Sequence, residues 1–443
     1  MVNRFLPLAF LATLVTVAAG QTVSPPTERV LHVFSNSDEP VSVKASENRV
    51  RAPMSVEDFT VLALRHNPTL AAAADRIRMA RGRKLQAGRW PNPVVGYHGT
   101  EVGNLRSAGA QGGFISQRLI LGGKLQLDQS IAGKEINEAH YRFHAQEQRI
   151  LSDVQVRFYD ALVAQRRALL AKELADIGDD TVAASKKLLD DEIGTENALL
   201  QAEIKADQSN NFLSNSENET VEAWRRLVVV VGLPSMPLSH LHGDLVGDLS
   251  PVLSWDDCYT RMLDGNPAIL AARTRVDRAR LTIQRARREP IPNVDLSVSI
   301  RHHDITGSEI ANLQLGIPLP LFDKNRGNIR IAEAEWSAAC NEVRRIELEL
   351  QDRLAMSYRR YANARQQVER YGQRTLGRAK QSLDIVRNGY EAGKADYLTL
   401  LNAQETYVQV SLSYLSALRE QHVAGAIIEN QLLTGSLAPR RYH

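Results

Sequence analysis

Three clusters in this sequence hold side chains that could do chemistry. His302, His303 and Asp304 stand together, and imidazole beside carboxylate is a donor set that collects transition metals. Gly389-x-x-x-Gly393-Lys394 puts glycines ahead of a lysine, as phosphate-cradling loops do, yet it has one residue too few between the glycines and no strand before it. It is expected to be a helix turn. Asp190, Asp191 and Glu192 form a run of carboxylates, and several copies converging on one mouth would favour cations there. The plainer readings are a solvated polar loop for the histidines and an exposed turn for the acids. Cys258 and Cys340 are the two cysteines. No His-Glu-x-x-His, Cys-x-x-Cys or Gly-x-Ser-x-Gly occurs. The expectation is a chain that is no enzyme, with no catalytic residue, cofactor or metal ligand assigned.

The elements that hold these clusters follow from the wider pattern. Arg4 precedes an apolar stretch, Phe5 to Val17, closed by Ala18, Ala19 and Gly20, the layout of a signal peptide over residues 1–20. That stretch is shorter than the roughly 20 residues a bilayer core needs. No cysteine follows it, so lipidation has no basis here, and 21–53 reads as a flexible lead-in. Nowhere later do 18 consecutive apolar residues occur, so no transmembrane helix is expected, and an exported chain could still enter a membrane through strands. Hydrophobic residues make up 43% of the 443, with a mean hydropathy of -0.28; these values exclude a helical membrane bundle and a disordered chain. The net charge of +3, from 54 basic and 51 acidic residues, gives no electrostatic case for nucleic acid.

The mature chain is written twice. At an offset of 199 residues, Ser55–Pro93 matches Ser254–Pro292 at 14 of 39 positions without a gap, including Asn67-Pro68 with Asn266-Pro267, Arg81 with Arg280 and Pro91-x-Pro93 with Pro290-x-Pro292. The same offset sets Gly194 on Gly393. Two repeats are expected at 54–234 and 254–435, joined by a linker at 235–253 and followed by a tail at 436–443.

Each repeat reads as a helix, a β-hairpin, a long helix and a return helix. In the second copy these are a helix from Trp255 to Glu289, a hairpin from Val294 to Phe322, a long helix from Arg326 to Asn388 and a return from Asp396 to Leu433. Val294, Leu296, Val298 and Ile300 alternate with polar residues, and Leu313, Leu315, Ile317, Leu319 and Leu321 alternate with mostly small or polar ones, which makes two-faced strands of the length a tilted bilayer crossing requires. In the first copy, Val94 to Gly103 alternates poorly and contains Glu101. Val343, Ile346, Leu350, Leu354, Tyr358, Tyr361, Ala364, Val368 and Tyr371 recur at coiled-coil spacing. The first long helix is expected from Lys124 to Asp190, with its return ending near Val231. A return helix and an opening helix together match one long helix, so the two could stack end to end beside it, and each repeat would supply a long helix and a composite partner. Helical rise puts Cys258 and Cys340 about 46 Å and 21 Å from the β-structure, beyond disulfide reach, and free thiols are expected.

Four strands cannot close a barrel, and open edges are intolerable in lipid. Three chains would pool twelve strands above twelve helical strands. On the duplicated order, the two Asn-Pro pairs and the turn Asn388-Gly389-Tyr390-x-x-Gly393-x-x-Asp396-x-Leu398, the sequence resembles the TolC-type outer-membrane efflux family from Ser55 to Gly435. Pro318-Leu-Pro-Leu-Phe-Asp-Lys-Asn-Arg-Gly327 is similar to a junction in its cobalt-zinc-cadmium resistance branch. The resemblance implies a mainly α fold with one hairpin per repeat, and a homotrimer whose α-helical barrel is capped by a 12-stranded β-barrel in the outer membrane. It also implies a periplasmic adaptor (membrane fusion) protein and an inner-membrane pump of the resistance-nodulation-division type. The gate would lie at the helix reversals, at Asp190, Asp191, Glu192, Gly194, Gly389, Tyr390, Gly393 and Asp396. Tyr390 matches a gate tyrosine of the family, whereas Thr399 and Asn402 stand where its gate aspartates would be. The expected function is a channel exporting small solutes, with heavy-metal cations the leading cargo. A channel for type I protein secretion and a non-pore periplasmic coiled-coil scaffold are the alternatives.

Overall fold

The computed structural model describes residues 53–103, 108–247 and 252–438. The expected signal peptide, the lead-in up to residue 52, linker residues 248–251 and tail residues 439–443 lie outside the described residues.

One order of elements occurs twice. The first copy contains α1 (Val56–His66), α2 (Pro68–Ala87), β1 (Val94–Thr100), β2 (Ala110–Leu119), α3 (Lys124–Asp190) and α4 (Glu196–Val231). The second contains α5 (Trp255–Gly265), α6 (Pro267–Arg288), β3 (Val294–His303), β4 (Ser308–Gly316), α7 (Arg326–Arg370), α8 (Leu376–Glu391) and α9 (Tyr397–Glu429). A five-residue π turn, Tyr371–Thr375, joins α7 to α8 without breaking the helical path.

The opening helix of each copy is two helices, not the single one expected, and Asn-Pro is the cause. Proline has no N–H to continue the ladder but fits the first turn of a new helix. Asn67 Oδ1 accepts from Thr69 N–H at 2.9 Å, and Asn266 Oδ1 from Ala268 N–H at 2.9 Å, so each asparagine caps the helix that its proline starts. The amide's other end is also used: Asn67 Nδ2 donates to Val230 O at 2.7 Å and Asn266 Nδ2 to Gln431 O at 2.8 Å. Both asparagines are buried. A return helix therefore ends on the break in its own copy's opening helix, which is the stacked junction that the lengths suggested.

Three further boundaries differ from expectation. β4 stops at Gly316, so Ile317, Leu319 and Leu321 are not in a strand; Pro318 and Pro320 cannot donate to a ladder. The second long helix continues past Asn388 to Glu391. The reversals align at a different offset from the rest of the repeat. The left-handed residues are Glu192 (φ 57°) and Gly393 (φ 69°), and the helix caps that follow are Thr195 and Asp396, each pair 201 residues apart. Gly194 thus corresponds to Ala395, not to Gly393.

Packing follows the coiled-coil pattern. α3 lies against α4 along one part of its length and against α1 and α2 along the part nearer the strands, and α7 and α8 do the same with α9, α5 and α6. α3 also packs on α6 and α9, which joins the copies. Phe59 sits 6.0 Å from Phe158 and 5.7 Å from Trp224 by ring centroids, at the centre of the core of the first copy. Leu350, Leu354 and Tyr361 form the matching core with Met262, Ile269 and Cys258. Cys258 is buried, Cys340 is half-buried, and both are free thiols.

Candidate functional site

The two hairpins form one antiparallel sheet in the order β1-β2-β3-β4. Its register decides what the surface is. Val95 pairs with Ile115, Ile115 with Val298 and Val298 with Leu313, a row that is apolar across all four strands. Tyr97, Gly113, Ile300 and Ala311 form the next row on that face, and Leu296 and Leu315 continue it towards the helices. Side chains alternate between faces, so the opposite face carries Ser116, Ser297 and Gln314, then Phe114, Ser299 and Asn312, with an Arg118–Asp295 ion pair at 2.8 Å. Val95, Leu313 and Leu315 are 74%, 74% and 62% exposed, so no described residue covers these positions of the apolar face. Glu101, the charge that blurred the first hairpin in sequence, lies past the end of β1 in the turn. Among the described residues each outer strand has one partner: β1 pairs with β2, and β4 with β3.

The histidine cluster sits at the far end of this sheet and is split by it. His302 and His303 are neighbours in β3 and point to opposite faces. His302 Nδ1 meets Glu309 Oε1 at 3.0 Å, while His303 Nδ1 accepts from Thr306. Asp304 accepts from Ala108 N–H at 3.0 Å, tying one hairpin turn to the other. Among the described residues no three His, Cys, Asp or Glu side chains converge to hold a metal ion. None of the described helices is long and apolar enough to cross a membrane.

At the other end the two reversals lie side by side. A Cβ on Gly393 would stand 3.6 Å from both Ile193 Cγ2 and Leu188 Cδ2. Leu188 O accepts from Ile193 N–H and Gly194 N–H, and Gly389 O from Lys394 N–H and Ala395 N–H, so both turns satisfy the last helical carbonyls alike. Asp190, Asp191 and Glu192 are exposed there. Asp396 caps α9, and hydrogen bonds from Thr399 hold its carboxyl below the ordinary carboxylate value. Tyr390 is buried, with its hydroxyl 2.7 Å from Ser185 Oγ and its ring 6.0 Å from Tyr397. Its hydroxyl thereby joins α8 of the second copy to α3 of the first.

Tyr390 belongs to a polar seam that sequence reading missed. Tyr407 OH donates to Glu173 at 3.4 Å, Lys380 Nζ lies 3.5 Å from the same carboxylate, Gln404 reaches Thr181 at 3.4 Å, and Lys205 pairs with Glu405 at 3.3 Å. Glu173 raises the Lys380 pKa, while burial first and Glu173 second raise that of Tyr407. Every one of these bonds joins α3 or α4 to α8 or α9, about 200 residues away in sequence. Nothing in the local pattern marks them, apart from the absence of apolar residues at those helical positions.

A duplicated helix–hairpin–helix–helix order, with an amphipathic four-stranded sheet at one end and paired helix reversals at the other, defines the class of protein to which this fold belongs. The sequence profile described as "Outer membrane efflux protein" matches residues 60–233 and 258–430. The chain belongs to this outer membrane efflux protein family. It is 26% identical over 384 residues to the cobalt-zinc-cadmium resistance protein CzcC of Cupriavidus metallidurans, covering 86% of this chain and 90% of that protein. Among solved structures, CusC, described through its transmembrane channel formation, superposes with a TM-score of 0.73 at 19% identity, covering 88% of this chain and 96% of its own. The outer membrane protein VceC of Vibrio cholerae does so at 0.70 and 19%, covering 86% and 96%. At these identities the structures establish the fold.

Proposed function

We propose that this chain is one protomer of a homotrimeric outer-membrane conduit in a tripartite efflux system, and that it carries metal cations outward without chemistry of its own. The observation that carries the reading is the apolar row Val95–Ile115–Val298–Leu313, exposed on a sheet whose two edges have no partner among the described residues. Such a face is tolerated against lipid, and such edges are not tolerated there unless another copy supplies the missing strand. Four strands are too few for closure, whereas three copies supply twelve. The polar face would then line the pore, with the helices extending into the periplasm.

The reversals suit a gate that meets an adaptor and, through it, an inner-membrane pump of the resistance-nodulation-division type. Asp190, Asp191 and Glu192, exposed and repeated around a threefold axis, would concentrate cations at the mouth. The cargo rests on this acidity and on the resistance function in the name of CzcC. Residues 54–234 and 254–435 serve as the two repeats. The membrane face is tested by single cysteines in a background without Cys258 and Cys340. Cysteine at Val298, Ile300, Leu313 or Leu315 should resist water-soluble maleimide in intact cells, and cysteine at Ser297, Ser299, Asn312 or Gln314 should react. Equal labelling of both sets would refute the assignment.

A further inference from the structure

Six basic residues on α2 and α6 form ion pairs with acidic partners, among them Arg83 with Glu135, Arg273 with Glu347, Arg278 with Glu138 and Arg287 with Glu333. Arg81, Lys84 and Arg89 are exceptions. All three are exposed, all three line one cleft between α2 and α3 with the Gln129 amide, and no carboxylate lines that cleft. None of the three forms an ion pair among the described residues. Their charge is felt nearby, since the His140 pKa is pulled down by burial and next by Arg81. Three cations sharing an uncompensated cleft repel one another, and a bound anion removes that cost.

The duplication points the same way. Arg81 and Arg89 recur as Arg280 and Arg288 at the 199-residue offset, and both of these are exposed and without an ion pair among the described residues. The position of the group names the anion. Arg81 and Lys84 lie within about 9 Å of the end of α2 by helical rise, and Arg89 is five residues before β1. Trp90, 53% exposed, follows directly. Tryptophan collects at the boundary between water and acyl chains, and the headgroup layer beyond that boundary is roughly 5–7 Å deep, within reach of extended arginine and lysine side chains.

We propose that Arg81, Lys84 and Arg89, with Arg280 and Arg288, form a collar that binds the phosphates of lipid headgroups in the periplasmic leaflet of the outer membrane. This rests on the reading of the sheet as membrane-inserted. The collar sets the depth of the sheet, with cations on phosphate and the apolar rows beyond them in hydrocarbon.

Native mass spectrometry of the detergent-purified full chain, titrated with dihexanoyl phosphatidylglycerol, tests the collar. Removing a cation from an anionic lipid surface weakens binding about fivefold, so Lys84→Gln alone should lose about fivefold and the Arg81→Gln, Lys84→Gln, Arg89→Gln variant about 100-fold. Arg225→Gln with Arg226→Gln, on α4, should bind as wild type does. Inorganic phosphate should not displace the lipid at equal concentration; displacement would make this a free-anion site and overturn the lipid assignment. Wild-type affinity in the triple variant would overturn the collar itself. Planar-bilayer conductance of the same samples separates the two claims. Conducting protein with unchanged lipid affinity sinks the collar alone, and wild-type protein that does not conduct sinks the channel reading with it.

Discussion

Asn67 and Asn266 do the work of two residues each, because one end of the amide starts a helix and the other finishes one. Replacing Asn67 by alanine removes a cap worth about 1 kcal/mol and strands a buried carbonyl at a further 1–3 kcal/mol. The expected loss is about 2–4 kcal/mol, read as a lowered unfolding midpoint. Asn67→Asp should recover only part of it, since a carboxylate keeps the cap but cannot donate to Val230 O. Asp396 gives a pH dependence of known sign. Its carboxyl lies below the ordinary value near 4, so the cap's contribution is complete above about pH 4 and is lost as pH falls through the lower folded value. Hydrogen-exchange protection at the start of α9 should therefore be flat from pH 7 to about pH 4 and fall only below that; loss at pH 5 to 6 would contradict the assignment. Sequence alone displayed both Asn-Pro pairs and Asp396. It did not display the second bond of each asparagine, because the accepting carbonyl is more than 160 residues away.

The helix reversals offer a comparison between copies at the scale of elements. Glu192 and Gly393 occupy the same left-handed position, but only glycine does so without a Cβ penalty. Glu192→Gly should stabilise the first reversal by about 1 kcal/mol and Gly393→Ala should destabilise the second by a similar amount, measured as local exchange at the turns. The ends of the return helices behave differently. Gln431 tolerates φ 61°, whereas a Cβ on Gly232 at φ 90° would approach His66 O to 2.6 Å. Gly232→Ala should accordingly cost more than Gly393→Ala and lower the folded yield. Periodicity made the long helices, the return helices and the second hairpin legible, since each carries its own repeat of apolar residues. It could not reveal the break at Asn-Pro, which lies inside an otherwise continuous helical pattern. Nor could it reveal the π turn at Tyr371–Thr375 or the two-residue shift between the reversals, because those depend on contacts between distant helices.

At the scale of the whole molecule, the central fact is a sheet that is finished on its faces and unfinished at its edges. The pairing of β2 with β3 joins hairpins from different repeats, so the apolar rows emerge only once both copies are folded together. This is why the first hairpin looked irregular in sequence while its residues fall into register beside the second. The tip is the reverse case: its acidic run was legible at once, and the seam from Glu173 to Tyr390 that holds it was not. Tyr390→Phe removes one bond of that seam and should leave the fold intact while raising the frequency of channel opening. The most direct test of the account is single-channel recording of the purified full chain in a planar lipid bilayer, with divalent cations added on the side of the helix reversals. A cation-selective trimer conducting in discrete steps, with divalent block lost in the Asp190→Ala, Asp191→Ala, Glu192→Ala variant, is the predicted result. A protein that stays monomeric and soluble without detergent, and passes no current, would contradict it.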